Sequence, residues 1–142
     1  MKKSMRYVFL FTTAIVLLGS ITFGQPLQKG NVIGVHVATI TLEPGVTMEQ
    51  FIGFFTNKYI PEFEKNRIGW KAYFVKSIRG DIKNGVGLVI VIQSEKDWER
   101  YYNADRSYSE LGNSANEKLK PILEELKKFG TLTTSYTDWV IQ

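Results

Sequence analysis

The order in which two hydrophobic periods follow one another constrains this chain more than any other feature. Val32 to Leu42 (VIGVHVATITL) is rich in β-branched residues and reads as a first strand. Glu43-Pro44-Gly45 is a turn. Beyond it Phe51, Phe54, Phe55 and Tyr59 fall at i, i+3, i+4 and i+8, one face of a helix. Thr47 and Gln50 have capping-box spacing at its start, and Val46 can meet Phe51 as a hydrophobic staple. Pro61 lacks an amide donor and is expected to kink or end this helix, with Phe63 continuing its apolar side. Trp70 to Ile78 (WKAYFVKSI) alternates as a second strand. Val86 to Ile92 (VGLVIVI) is the most apolar strand and reads as central, and Asn84-Gly85 before it signals a tight hairpin turn. Ser94 and Asp97 have capping spacing ahead of Trp98, Tyr101 and Tyr102, and a second helix start is expected at Ser107 with Glu110. Leu111, Ala115, Leu119, Ile122, Leu123 and Leu126 mark the inward face of a longer helix, which Pro121 should bend. Lys127 and Lys128 suit the negative end of its dipole, and Gly130 stops it. Thr131 to Ile141 closes the chain as a Thr-rich fourth strand.

This order, β-α-β-β-α-β, is the split βαβ or ferredoxin-like arrangement, an α+β fold. It predicts one four-stranded antiparallel sheet with both helices on one face. Strands one to three carry apolar residues in both alternating registers. The uncovered face would then be a large apolar patch, which isolated proteins avoid. Sheet-to-sheet association of two copies covers it, so a homodimer is expected.

The first residues bear on compartment. Lys2, Lys3 and Arg6 precede an apolar run from Tyr7 to Leu18, and Thr22 and Gly24 supply a small-x-small end. That is the pattern of a secretory signal peptide over residues 1–24, with an arm at 25–31 and the domain at 32–142. The apolar run is at the short end for a membrane span, and no basic stop-transfer segment follows. The expectation is an exported protein, periplasmic or extracellular, with no stable membrane anchor after cleavage. The whole chain carries 18 basic and 14 acidic residues. Without Lys2, Lys3 and Arg6 the balance is 15 to 14, close to neutral. The basic excess is largely a targeting feature, and no nucleic-acid partner is expected. There is no cysteine, hence no disulfide framework and no lipidation site.

Chemical motifs are sparse. His36 is the single histidine, sharing a strand face with Ala38, Ile40 and Leu42. Imidazole there could act as a general base or an axial haem ligand, or sit in the core hydrogen-bonded to a helix. One histidine without cysteine predicts no metal site. Asp97 and Glu99 point to different sides of a helix, and Glu124 and Glu125 lie on a solvated face. Gly85-Val86-Gly87 lacks the strand–turn–helix context of a phosphate loop. Arg79-Gly80-Asp81 resembles an adhesion tripeptide but reads as a turn.

From Asn31 to Gln142 the chain resembles the dimeric α/β-barrel superfamily, and within it the stress-responsive A/B barrel proteins. The carriers are HVATITLEPGVTMEQF (His36 to Phe51), the apolar third strand, and DWERYYNADRSY leading into a helix with LKPILEEL (Leu119 to Leu126). The superfamily includes cofactor-free monooxygenases, haem-degrading enzymes, cyclases and proteins without known activity, so the resemblance speaks to fold more than to function. It implies a ligand space between sheet and helices. Trp98, Tyr102, Asn103 and Arg106 would line its mouth, with Tyr73, Phe54, Phe55 and His36 deeper. The resulting expectation is an exported dimer that binds a small, partly apolar molecule. A cofactor-independent monooxygenase or isomerase using His36 and Tyr73 for proton transfer is the enzymatic alternative. A structural or partner-binding protein with a filled core is the third. No cofactor is expected, and haem on His36 ranks below these readings.

Overall fold

The computed structural model describes residues 26–82 and 85–142. The predicted signal peptide lies outside the described residues, as does Asn84 of the predicted hairpin turn. The observed elements are β1 (Val32–Leu42), α1 (Met48–Phe54), a π-helical turn (Phe55–Tyr59), α2 (Ile60–Lys65), β2 (Trp70–Lys76), β3 (Val86–Ile92), α3 (Glu95–Glu99), α4 (Glu110–Leu126) and β4 (Gly130–Val140). The four strands form one antiparallel sheet in the order β2-β3-β1-β4. This is the ferredoxin-like α+β fold that the sequence order predicts.

Local chemistry sets the helix starts. Thr47 Oγ1 accepts from the Gln50 amide and Gln50 Oε1 accepts from the Thr47 amide, a complete capping box. Ser94 Oγ accepts from the Asp97 amide at the start of α3. The cap of α4 is Ser109, whose Oγ accepts from the Gly112 amide, and not the expected Ser107. Ser107 is committed elsewhere: its amide and hydroxyl both donate to Asp105 Oδ1.

Pro61 does not end the first helix. The chain passes through the π-helical turn and resumes as α2 with Pro61 in its first turn, where a missing amide costs least. β2 ends at Lys76, short of the expected Ile78, β3 begins at Val86, and the Ser77 amide donates to the Gly85 carbonyl. Gly80 has φ 115°, so Arg79-Gly80-Asp81 is a bend.

Strand periodicity sorts residues between faces. Even-numbered positions of all four strands face the helices. Rows such as Phe74–Leu88–His36–Tyr136 and Ala72–Ile90–Gly34–Asp138 therefore cross the sheet. Odd-numbered positions form the other face: Tyr73, Val89, Val35 and Thr137 make one of its rows. No helix of the described residues covers it, and Tyr73, Val75 and Trp139 are exposed there.

Two apolar clusters lie between sheet and helices. One joins Val32, Phe63, Trp70, Ile90, Ile92, Tyr101 and Leu119. The other joins Ala38, Phe51, Phe54, Phe55, Val86 and Leu126. Gly112 brings α4 against the Tyr101 backbone, where an added Cβ would overlap the carbonyl oxygen. Leu111, expected to face inward, is exposed. Among the described residues no helix is long and apolar enough to cross a membrane.

Candidate ligand cleft

The two clusters part at Gly34 and His36, and cavities open at that seam. A cavity of about 330 Å³ is walled by Gly34, His36, Arg67, Tyr102, Asn116 and Asp138 together with Tyr59, Phe63 and Trp70. A second, of about 200 Å³, is apolar and walled by His36, Phe51, Phe55, Tyr59, Phe74 and Leu132 among others. His36, Tyr59, Leu88 and Leu123 line both. Together they match the mostly apolar cleft with a few polar groups that small molecules use.

Each wall has a local cause. Gly34 leaves the floor open, since a Cβ there would stand 2.9 Å from Asp138 Oδ1. The π-helical turn begins at Phe55 and ends at Tyr59, so both of its ends face cavities. One extra residue per turn re-aims side chains, and such turns concentrate at functional sites. β4 brings Tyr136 beside His36, with ring centroids 5.2 Å apart and planes at 15°.

His36 is half-buried, and burial lowers its pKa below the usual 6.5 while the Asp138 carboxylate pulls it upward. Asp138 Oδ2 also accepts from Trp98 Nε1 at 3.1 Å. Tyr59 and Tyr102 both have raised pKa values, chiefly through burial, so their hydroxyls stay protonated at neutral pH. This arrangement presents one imidazole, one carboxylate and the neutral phenols of Tyr59 and Tyr102 to the same space.

The residues singled out from the sequence separate here. His36 and Phe55 line the cavities, and Tyr102 lines the larger one. Trp98 stacks on Tyr102 at 4.5 Å and backs it from outside. Phe54 instead packs on Phe129, with ring centroids 4.7 Å apart, inside the second cluster. Asn103 donates to Ser107 Oγ and the Tyr108 carbonyl, which shapes the loop before α4. Arg106 is exposed on that loop at φ 67°. Neither Asn103 nor Arg106 lines the cleft. Tyr73 is on the opposite face of the sheet from His36, because the period of two separates odd from even positions; it cannot share a proton with His36.

Arg67, Asn116, Tyr136 and Asp138 do not stand out in the sequence. Phe63, Arg67 and Trp70 fall at i, i+4 and i+7, a spacing that could have flagged Arg67. Tyr136 and Asp138 follow from the β1–β4 register, which no residue pattern fixes in advance. Among the described residues, no group of three or more histidines or carboxylates could hold a metal ion.

Neither a family model nor a curated protein matches the chain. Solved structures with a similar trace include a point mutant of SnoaB, a cofactor-independent oxygenase from Streptomyces nogalater. It is 13% identical with a TM-score of 0.49, covering 80% of this chain and 94% of that one. Another is a dimeric protein of unknown function and ferredoxin-like fold from Bacteroides fragilis NCTC 9343. It is 10% identical with a TM-score of 0.34, covering 77% of this chain and 96% of that one. At these values neither bears on activity, and the fold rests on the strand order and register given above.

Proposed function

We propose that the protein is exported, pairs with a second copy through the open face of its sheet, and holds a small, partly apolar molecule in the cleft at His36. The observation that carries the reading is the seam between the two apolar clusters, where aromatic walls meet a few inward-facing polar groups. A chain evolved only to fill its core would close that seam. The sequence pattern of residues 1–24 supports export, and the uncovered apolar strand face supports pairing.

Native mass spectrometry of the protein from an exporting host tests all three parts. The expected species is a dimer of chains beginning at Gln25, carrying extra mass. A clean dimer would remove the ligand, and a clean monomer would remove the pairing.

A second reading is favoured by one specific observation, the Asp138 carboxylate acting on a half-buried His36 beside Tyr136. In that reading His36 takes a proton from the bound molecule and Asp138 stabilises the imidazolium. The chemistry would be an isomerisation, with the proton returned at another carbon, or a cofactor-independent oxygenation in which dioxygen is the oxidant and oxygen source. Loss of turnover of the co-purified molecule in His36→Ala, with binding retained, is the expected result. Unchanged turnover would leave a binding protein.

A further inference from the structure

A guanidinium lines the larger cavity, and no carboxylate of the described residues pairs with it. Arg67 is 6% exposed. Its Nη2 donates to Asn116 Oδ1 at 2.5 Å, while its Nη1 is buried and has no hydrogen-bond partner. The cation lies 4.2 Å from the Phe63 ring centroid and 5.8 Å from that of Trp70. No carboxylate of the described residues is within ion-pair distance of it. Tyr59 and Tyr102 line the same cavity, but both stay protonated at neutral pH and supply no charge. Asp138 is the carboxylate on this wall, and its Oδ2 is engaged by Trp98.

Proteins pair buried charges, because an isolated ion loses its hydration and gains nothing in return. Aromatic faces return part of the loss, yet they leave Nη1 without an acceptor. Nη1 has two hydrogens to give, and Nη2 has one beyond its bond to Asn116. A planar guanidinium edge of this kind matches the two oxygens of a carboxylate. The rest of the cavity wall combines aromatic residues, Tyr59, Phe63, Trp70 and Tyr102 among them, with aliphatic ones such as Leu88 and Ile90.

We propose that the cleft takes an aromatic carboxylate, with its carboxylate on Arg67 and its ring among Tyr59, Trp70 and Tyr102. The inference rests on the ligand-binding reading above and adds the charge and orientation of the ligand. The anionic end sits at Arg67 and the apolar body extends toward His36 and the second cavity.

Calorimetric titration of the exported protein with 2-naphthoate and with its neutral analogue 2-naphthol separates the two claims. The expected result is that naphthoate binds about tenfold or more tightly than naphthol, as for hydrogen bonds to a charged group. Arg67→Met should erase that preference while naphthol still binds, and without ligand it should melt no earlier than the native protein. Asn116→Asp gives Arg67 a carboxylate within the chain, and should also abolish the preference while raising the melting temperature. This variant carries the test if Arg67→Met does not fold. Equal affinities in the native protein, or a preference that survives in either variant, would overturn the inference and leave the cleft reading intact. If neither compound binds, both readings fall.

Discussion

His36 joins the two cavities, and its environment makes stability depend on pH in a predictable direction. Burial lowers its folded-state pKa below the unfolded value of 6.5. The unfolded chain therefore takes up a proton that the folded site refuses. Stability from this group is complete above pH 6.5 and is lost as pH falls from there toward the folded value. The depressed carboxyls of Glu62 and Asp105 act on stability lower, below their reference values of 4.5 and 3.8. Denaturant midpoints at pH 7.5 and 5.5 should fall for the native protein and stay flatter for His36→Gln. An identical drop in both would show that another group titrates. Tyr73→Phe makes the opposite point: ligand binding should not change, because that hydroxyl is on the far side of the sheet. Weakened ligand binding in Tyr73→Phe would contradict that placement. Arg67 shows what the residue scale conceals. A charged residue in the run EKNRIG reads as solvated, and only the turn after α2 carries it inward against Phe63.

At the scale of elements, period and capping are legible in the sequence and loop geometry is not. The phenylalanines of α1 and the capping box at Thr47 act within one turn of chain, so their spacing alone declares them. β2 stops pairing at Lys76 rather than the expected Ile78, a tertiary matter that strand period does not decide. Ser107 and Ser109 are both competent caps; Asp105 captures the first and leaves the second. Pro61 reads as a break because a proline in mid-helix loses a hydrogen bond, and the π-helical turn before it absorbs that loss. Tight approach adds a further test. Gly112→Ala would drive a methyl into the Tyr101 carbonyl, and should cost about 1–3 kcal/mol. Thermal melts should show a lower midpoint; an unchanged one would mean α4 can slide without loss.

For the whole molecule, the exposed strand face is the surface on which the proposed pairing depends. Ile33, Val35, Val37, Val89 and Val91 are half-buried by their own neighbours, and Tyr73, Val75 and Trp139 are exposed on the same side. A charge at the centre of that face would be desolvated in a sheet-to-sheet dimer. Val35→Asp should therefore yield a monomer by light scattering after gel filtration, while Thr133→Asp near one end of β4 should not. A dimer that persists in Val35→Asp would place the contact elsewhere. This face is visible in the sequence because the first three strands carry apolar residues in both alternating registers, with little polar alternation.

The division of the interior into two clusters has a consequence for how such a chain can change over time. Each cluster has a firmly buried centre, Phe51 at 0% and Ile92 at 1% exposure. Residues such as Tyr108 and Asn116 border the seam but belong to neither cluster. Substitutions there alter what the cleft accepts while leaving both folding cores whole, so specificity can drift at little risk to the fold. Descendants of this chain would keep the aromatic and aliphatic pattern of their strands and helices and diverge along one narrow line through the middle.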